Sequence, residues 1–138
     1  MKHRTSLLTL TLLLIASGLA LPTQSRATNP SDDVELIAVR MYADWCGYCK
    51  ELDTKLDEVK GQFKDTGVWF TYFDITDDFM HQQTRIMADK LGLMHVYEQY
   101  HDQTGTMLLV NPANGEIVKE ITSDITEDDL VAEINSHL

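Results

Sequence analysis

Cys46 and Cys49 are the two cysteines of this chain, three apart in the run Ala43-Asp44-Trp45-Cys46-Gly47-Tyr48-Cys49-Lys50. Two thiols at that spacing form a redox dithiol: one attacks a substrate disulfide, and the other resolves the mixed disulfide that results. The chemistry needs no further covalent group, so no cofactor is expected. A bridge that serves stability alone fits less well, since the chain-entropy estimate for so short a loop is only about 2 kcal/mol. A second class of function stays open, in which Cys46 and Cys49 hold a soft ion such as Cu(I) or Zn with the help of His81, His95 or His101. A non-catalytic interaction module is the third. Elsewhere Asp77-Asp78 and Asp128-Asp129 read as helix-start charges rather than an acid and base pair. Met94, Tyr97 and Tyr100 read as packing residues.

The cysteines need elements to hold them. Glu35 to Tyr42 (ELIAVRMY) is apolar and β-branched and ends just before the motif, which predicts a buried strand. Leu52, Leu56, Val59 and Phe63 then recur at helical spacing, with Gly61 or Gly67 to end the helix. The motif therefore lies on a strand-to-helix turn, where unpaired N–H groups and the helix dipole favour a thiolate on Cys46. Helix-end effects of about 0.3–2 kcal/mol correspond to roughly one pKa unit. Cys46 is the candidate nucleophile, and Cys49, one turn inward, the resolving thiol. Trp45 either shelters the site and meets an incoming peptide or simply packs. Gly47 permits close approach of a substrate backbone, and Tyr48 stands beside it between the cysteines.

Val68 to Ile75 predicts a second strand, with Thr76-Asp77-Asp78 starting a helix whose inner face holds Phe79, Ile86, Met87 and Leu91, and Gly92 ending it. Met94 to Tyr100 predicts a further short helix. Thr106 to Val110 and Glu116 to Ile121 read as a hairpin across Asn111-Pro112-Ala113-Asn114-Gly115. Thr126 with Asp129 forms a capping box for a last helix buried through Leu130, Val131, Ile134 and Leu138. The order predicts a layered α/β domain with its first two strands parallel and the cysteines at the carboxyl end of the central strand.

Residues 1–27 read as a signal peptide: a basic start at Lys2, His3 and Arg4, an apolar stretch from Leu7 to Leu21, and small residues around Arg26. Residues 28–33 are a flexible lead-in and 34–138 the folded domain. The formal charge of −11 becomes −14 once Lys2, Arg4 and Arg26 are removed with that segment. So acidic a surface disfavours nucleic acid and anionic lipid, and it suits solubility after signal cleavage. The expected location is periplasmic or otherwise extracytoplasmic, where a dithiol can persist oxidised.

Tyr42-Ala43-Asp44-Trp45-Cys46-Gly47-Tyr48-Cys49-Lys50 resembles the active-site segment of thioredoxin-like proteins, and exported thioredoxin-like reductase domains share its Ala-Asp-Trp-Cys. The likeness extends over residues 34–138, because the element order and the hairpin from Thr106-Met107-Leu108-Leu109-Val110 to Asn114-Gly115-Glu116 match as well. It implies a thioredoxin-like fold, with a central mixed sheet of about four strands flanked by helices. It also implies a thiol-disulfide oxidoreductase whose partners are cysteine-containing client proteins and a redox donor or acceptor protein. Gly105 and Thr106 would line the substrate site. Three departures stand out. Gly105 replaces the family's cis-proline, and a trans peptide is expected there, since a non-proline cis bond costs about 2.5–4 kcal/mol. Arg40 replaces the buried acid that manages the resolving thiol's proton, a role arginine cannot fill. The segment from Phe79 to Gln103 exceeds what the minimal fold requires, and either shapes the site or is a plain insertion.

Overall fold

The computed structural model describes residues 33–138; the signal-peptide reading of residues 1–27 and most of the lead-in lie outside them. Strand β1 (Leu36–Tyr42) leads into helix α1 (Gly47–Val59), which tightens into a 3₁₀ turn at Lys60–Phe63. Strand β2 (Val68–Asp74), helices α2 (Asp78–Lys90) and α3 (Met94–Tyr100), strands β3 (Thr106–Val110) and β4 (Ile117–Thr122), and helix α4 (Glu127–Asn135) follow. The sheet runs β2-β1-β3-β4, with β1 parallel to β2 and antiparallel to β3, and β3 antiparallel to β4. This is the mixed four-stranded sheet expected from the residues.

Strand alternation splits the core into two layers. Ile37, Val39 and Met41 of β1 join Phe73, Leu108 and Val110 beneath Ala88, Leu93, Val96, Tyr97 and Tyr100. Leu36 and Ala38 face the other way, with Met107, Leu109 and Ile121, toward Leu52, Leu56, Val59, Leu130 and Ile134. Helix α1 spans both layers: Cys49 belongs to the first and Leu52 to the second. Gly61 does not end the helical run abruptly, and the 3₁₀ turn carries Phe63 into the core.

Helix α2 buries a different face from the expected one. Thr84 and Ala88 are its buried residues, Met87 and Leu91 are half-buried, and Phe79 and Ile86 are 65% and 59% exposed. At about 100° per residue, Phe79 and Ile86 form a stripe nearly opposite Ala88. The small Thr84 and Ala88 let the helix approach β2 closely, and the Thr84 hydroxyl donates to the Asp74 carbonyl at 2.7 Å. Helix α4 begins as anticipated, with the Asp129 N–H donating to Thr126 Oγ1 at 3.1 Å. Leu138, expected on its buried face, lies beyond the end of the helix and is exposed.

Leu52 is 1% exposed and joins α1 to the sheet, so Leu52→Ala should destabilise the domain by about 2–5 kcal/mol, read as a lower urea midpoint at unchanged slope. Burial raises the Tyr100 phenol's pKa, with further support from its hydrogen bond to Glu120. The unfolded chain therefore loses that proton first, and stability should fall as pH rises past about 10. Burial raises Tyr97 as well. Tyr100→Phe should flatten part of this alkaline loss in pH-resolved denaturation.

Candidate active site

Two loops lock together to present the cysteines. Beyond β1 the Asp44 N–H donates to Thr76 Oγ1 and the Trp45 indole N–H to the Thr76 carbonyl, each at 3.0 Å. The Ile75 N–H donates to the Tyr42 carbonyl at 2.8 Å, so the ends of the parallel strands β1 and β2 fasten each other. The Cys46 N–H closes a turn onto the Ala43 carbonyl at 3.1 Å, after which the chain enters α1.

Cys46 is the N-cap of α1, in extended backbone, and its Sγ accepts the Cys49 N–H at 3.1 Å. A sulfur in that position receives a donor that the helix leaves unpaired and lies at the positive end of its dipole. Cys46 and Cys49 are joined as a disulfide with Cα atoms 5.3 Å apart, within the normal range for such a bond. They are 4% and 3% exposed, so an incoming group reaches them only at the rim. Cys49 Sγ lies 3.6 Å from the Met41 carbonyl oxygen.

The remaining site residues surround this pair. Trp45 and Tyr48 are 63% and 69% exposed, so neither is a core packing residue. Gly47 is exposed, with open space where a side chain would stand. Gly105 has a trans peptide and a φ of +79°, and its N–H donates to the Met41 carbonyl at 3.0 Å. A Cβ there would stand 2.7 Å from Tyr48 Cβ and 3.7 Å from Cys46 Sγ, so this glycine lies against both. Thr106 is buried opposite Met41 in the β1–β3 ladder. A cleft of about 320 Å³ beside the disulfide is lined by Tyr48, Thr104, Gly105, Thr106, Thr122, Ser123 and Asp124.

The sequence reading missed several of these participants. Thr76 anchors the active-site loop, whereas Asp77 caps α2 by accepting the Met80 N–H. Ser123 and Asp124 come to the cleft from beyond β4, and Lys55 reaches across from α1 to the Ser123 carbonyl. Arg40 forms an ion pair with Asp53 and lies 5.6 Å from the centre of the Tyr72 ring. Burial draws its pKa down from the ordinary value, opposed by the nearby Asp57, Tyr72 and Tyr42. Asp53, the residue directly after Leu52, carries no periodic signal, so only the contact with Arg40 marks it.

The histidines are engaged elsewhere: His81 with the Tyr97 hydroxyl at 2.8 Å, His95 with the Gly115 carbonyl at 2.7 Å, and His101 with the Glu98 carbonyl at 3.1 Å. Among the described residues none joins the cysteines in a group of three potential metal ligands. The segment from Phe79 to Gln103 contributes nothing to the lining of the cleft; its Leu93, Val96, Tyr97 and Tyr100 pack in the core layer that holds the cysteines.

The thioredoxin family model matches residues 26–88, a span that holds β1, the cysteine pair, α1, β2 and most of α2. The fold is thioredoxin-like. Solved structures similar to this thioredoxin-like chain include a mutant thioredoxin from Halobacterium salinarum, at 24% identity over 76% of each chain with a TM-score of 0.48. The germline-specific thioredoxin Deadhead of Drosophila melanogaster is 19% identical over 78% of this chain and 85% of its own, with a TM-score of 0.49. Fasciola hepatica thioredoxin is 19% identical over 78% of this chain and 86% of its own, with a TM-score of 0.48. No curated protein matches the chain.

The Tyr48–Gly105 contact makes a sharp prediction. Gly105→Ala should cost about 1–3 kcal/mol from the left-handed backbone alone and more from the clash with Tyr48. In a Tyr48→Gly background the clash component should vanish and the backbone component remain, as measured by urea unfolding of the four variants.

Proposed function

We propose that this protein is an extracytoplasmic thiol-disulfide oxidoreductase that reduces disulfides in client proteins and is itself recharged by an electron-donor protein. The observation that carries the reading is Cys46 at the N-cap of α1, its sulfur holding the Cys49 N–H and bonded to the Cys49 sulfur. In the reducing direction the Cys46 thiolate attacks a client sulfur and expels the other as a thiolate. Cys49 then attacks Cys46, forming the protein disulfide and releasing the second client thiol. Two electrons pass from the pair to the client.

Exposed Trp45 and Tyr48 beside the cleft support docking of an extended client segment, with its backbone near Gly105 and Thr106. The extracytoplasmic location rests on the signal-like pattern of residues 1–27, and the acidic surface favours clients with basic segments near the target disulfide. Metal delivery draws no support from the histidines, which are occupied away from the cysteines.

Cys46→Ser should abolish exchange with a disulfide-bonded protein, and Cys49→Ser should accumulate a mixed disulfide visible by mass spectrometry; full turnover by either variant overturns the mechanism. Equilibration against dithiothreitol should give a potential near about −270 mV, as for thioredoxins, whereas a value near about −120 mV would reverse the direction to disulfide donation.

A further inference from the structure

We propose that the open edge of β2 is a self-association surface, on which a second copy of this chain lays its own β2 antiparallel to the first, so that the two four-stranded sheets join into one. This pairing is independent of the exchange chemistry.

Among the described residues β2 pairs with β1 alone, so one side of its backbone has no ladder partner. Such an edge is a template for another strand unless charge, proline or a bulge spoils it. The opposite edge of the sheet is spoiled in this way: β4 exposes Lys119 and Glu120, and its ladder to β3 slips at Leu109 and Val110. Strand β2 (VWFTYFD) has none of these guards. It runs in unbroken register along β1 without lysine, arginine or proline, and its acid, Asp74, ends the strand with the carboxylate accepting the Thr76 N–H.

Both faces beside that edge offer apolar surface, with Trp69 37% and Tyr72 47% exposed. Alternate residues of a strand point to opposite faces. Trp69, Thr71 and Phe73 therefore lie on the side of Ile37, Val39 and Met41, where α2 packs, and Phe70 and Tyr72 lie on the side of α1. On the α2 side a cleft of about 240 Å³ is bounded by Thr71, Tyr72 and Asp74 of the strand and by Met80, Thr84 and Met87 of the helix.

Strand β2 complements itself. Antiparallel pairing about Thr71 sets Phe70 opposite Tyr72 of the second copy and Trp69 opposite its Phe73, with the two Thr71 residues meeting on the two-fold axis. Aromatic and threonine pairs of this kind stabilise adjacent strands. Val68 falls opposite Asp74, so no like charges face each other within the strand pair. Trp69 of each copy is thereby carried to the end of the strand that borders the other's cleft, whose methionines adapt to an aromatic ring.

The chain's own leading segment is a poor occupant of this edge. The Asp33 carbonyl lies against Gly67, where β2 begins, and residues 28–32 before it read Thr-Asn-Pro-Ser-Asp. Asparagine and aspartate are depleted from strands, and proline cannot donate to a ladder. A second copy leaves the cysteines open: β2 leads through Thr76 to Trp45, and antiparallel pairing sets the two active-site loops at opposite ends of the shared strands. Each chain carries a formal charge of −11, so the copies repel at long range and added salt should strengthen the dimer by screening.

Sedimentation equilibrium of the full chain should show the mass of one chain giving way to that of two as concentration rises, with a dissociation constant that falls between about 0.05 M and about 0.5 M sodium chloride. Thr71→Lys and Thr71→Glu each place like charges on the two-fold axis and should weaken dimerisation by roughly tenfold or more. An equal mixture of the two variants should restore it as a mixed dimer, which also shows that both are folded. Trp69→Ala, at an exposed position, should weaken it as well. A single chain at every concentration up to about 1 mM overturns the proposal, as does a dimer indifferent to both Thr71 substitutions or a mixture that fails to restore pairing. A chain that stays single yet binds a synthetic alternating threonine-valine peptide, with binding lost in Trp69→Ala, overturns the second copy in favour of a foreign strand.

Discussion

The hydrogen bond from the Cys49 N–H to the sulfur of Cys46 is the constraint from which the site follows. It makes a reactive atom serve as a helix cap, a role usually filled by an oxygen. The cap requires α1 to begin directly off β1, and it leaves Cys49 on the inner side of the first turn. One sulfur then lies at the dipole's positive end while its partner lies against the Met41 carbonyl, both residues being almost wholly buried. The unequal settings of the two thiols are a consequence of where a helix starts.

Everything around that cap serves to hold the start of the helix still. The parallel pairing of β1 and β2 ends in the Tyr42–Ile75 hydrogen bond, and Thr76 then holds both Asp44 and Trp45. Helix α1 is wedged between two core layers, so a shift at its N-terminus would disturb packing on both sides of the sheet. The cleft wall opposite is less regular. Gly105 occupies a left-handed conformation so close to Tyr48 that no side chain fits between them.

Much of this was legible in the residues. Two cysteines three apart after a β-branched run and before a helical apolar repeat specify a dithiol at a strand-to-helix turn, because side-chain periodicity reports directly on element type. The turn cluster from Asn111 to Gly115 and the Thr126–Asp129 cap were readable for the same reason: they are satisfied by neighbours within a few residues. The inner face of α2 was not, since small Thr84 and Ala88 carry little hydrophobic signal while Phe79 and Ile86 carry much and point outward.

The sequence by itself determined the element order, the mixed sheet and the identity of the reactive pair, all of which depend on local spacing. Only the tertiary structure decided which distant groups surround that pair: Thr76 under Trp45, Gly105 against Tyr48, and Ser123 and Asp124 at the cleft. Those contacts join residues from separate elements, and their geometry is set by how strands and helices stack. A polar residue gives no sign in the chain of which opposite charge it will find once the layers close.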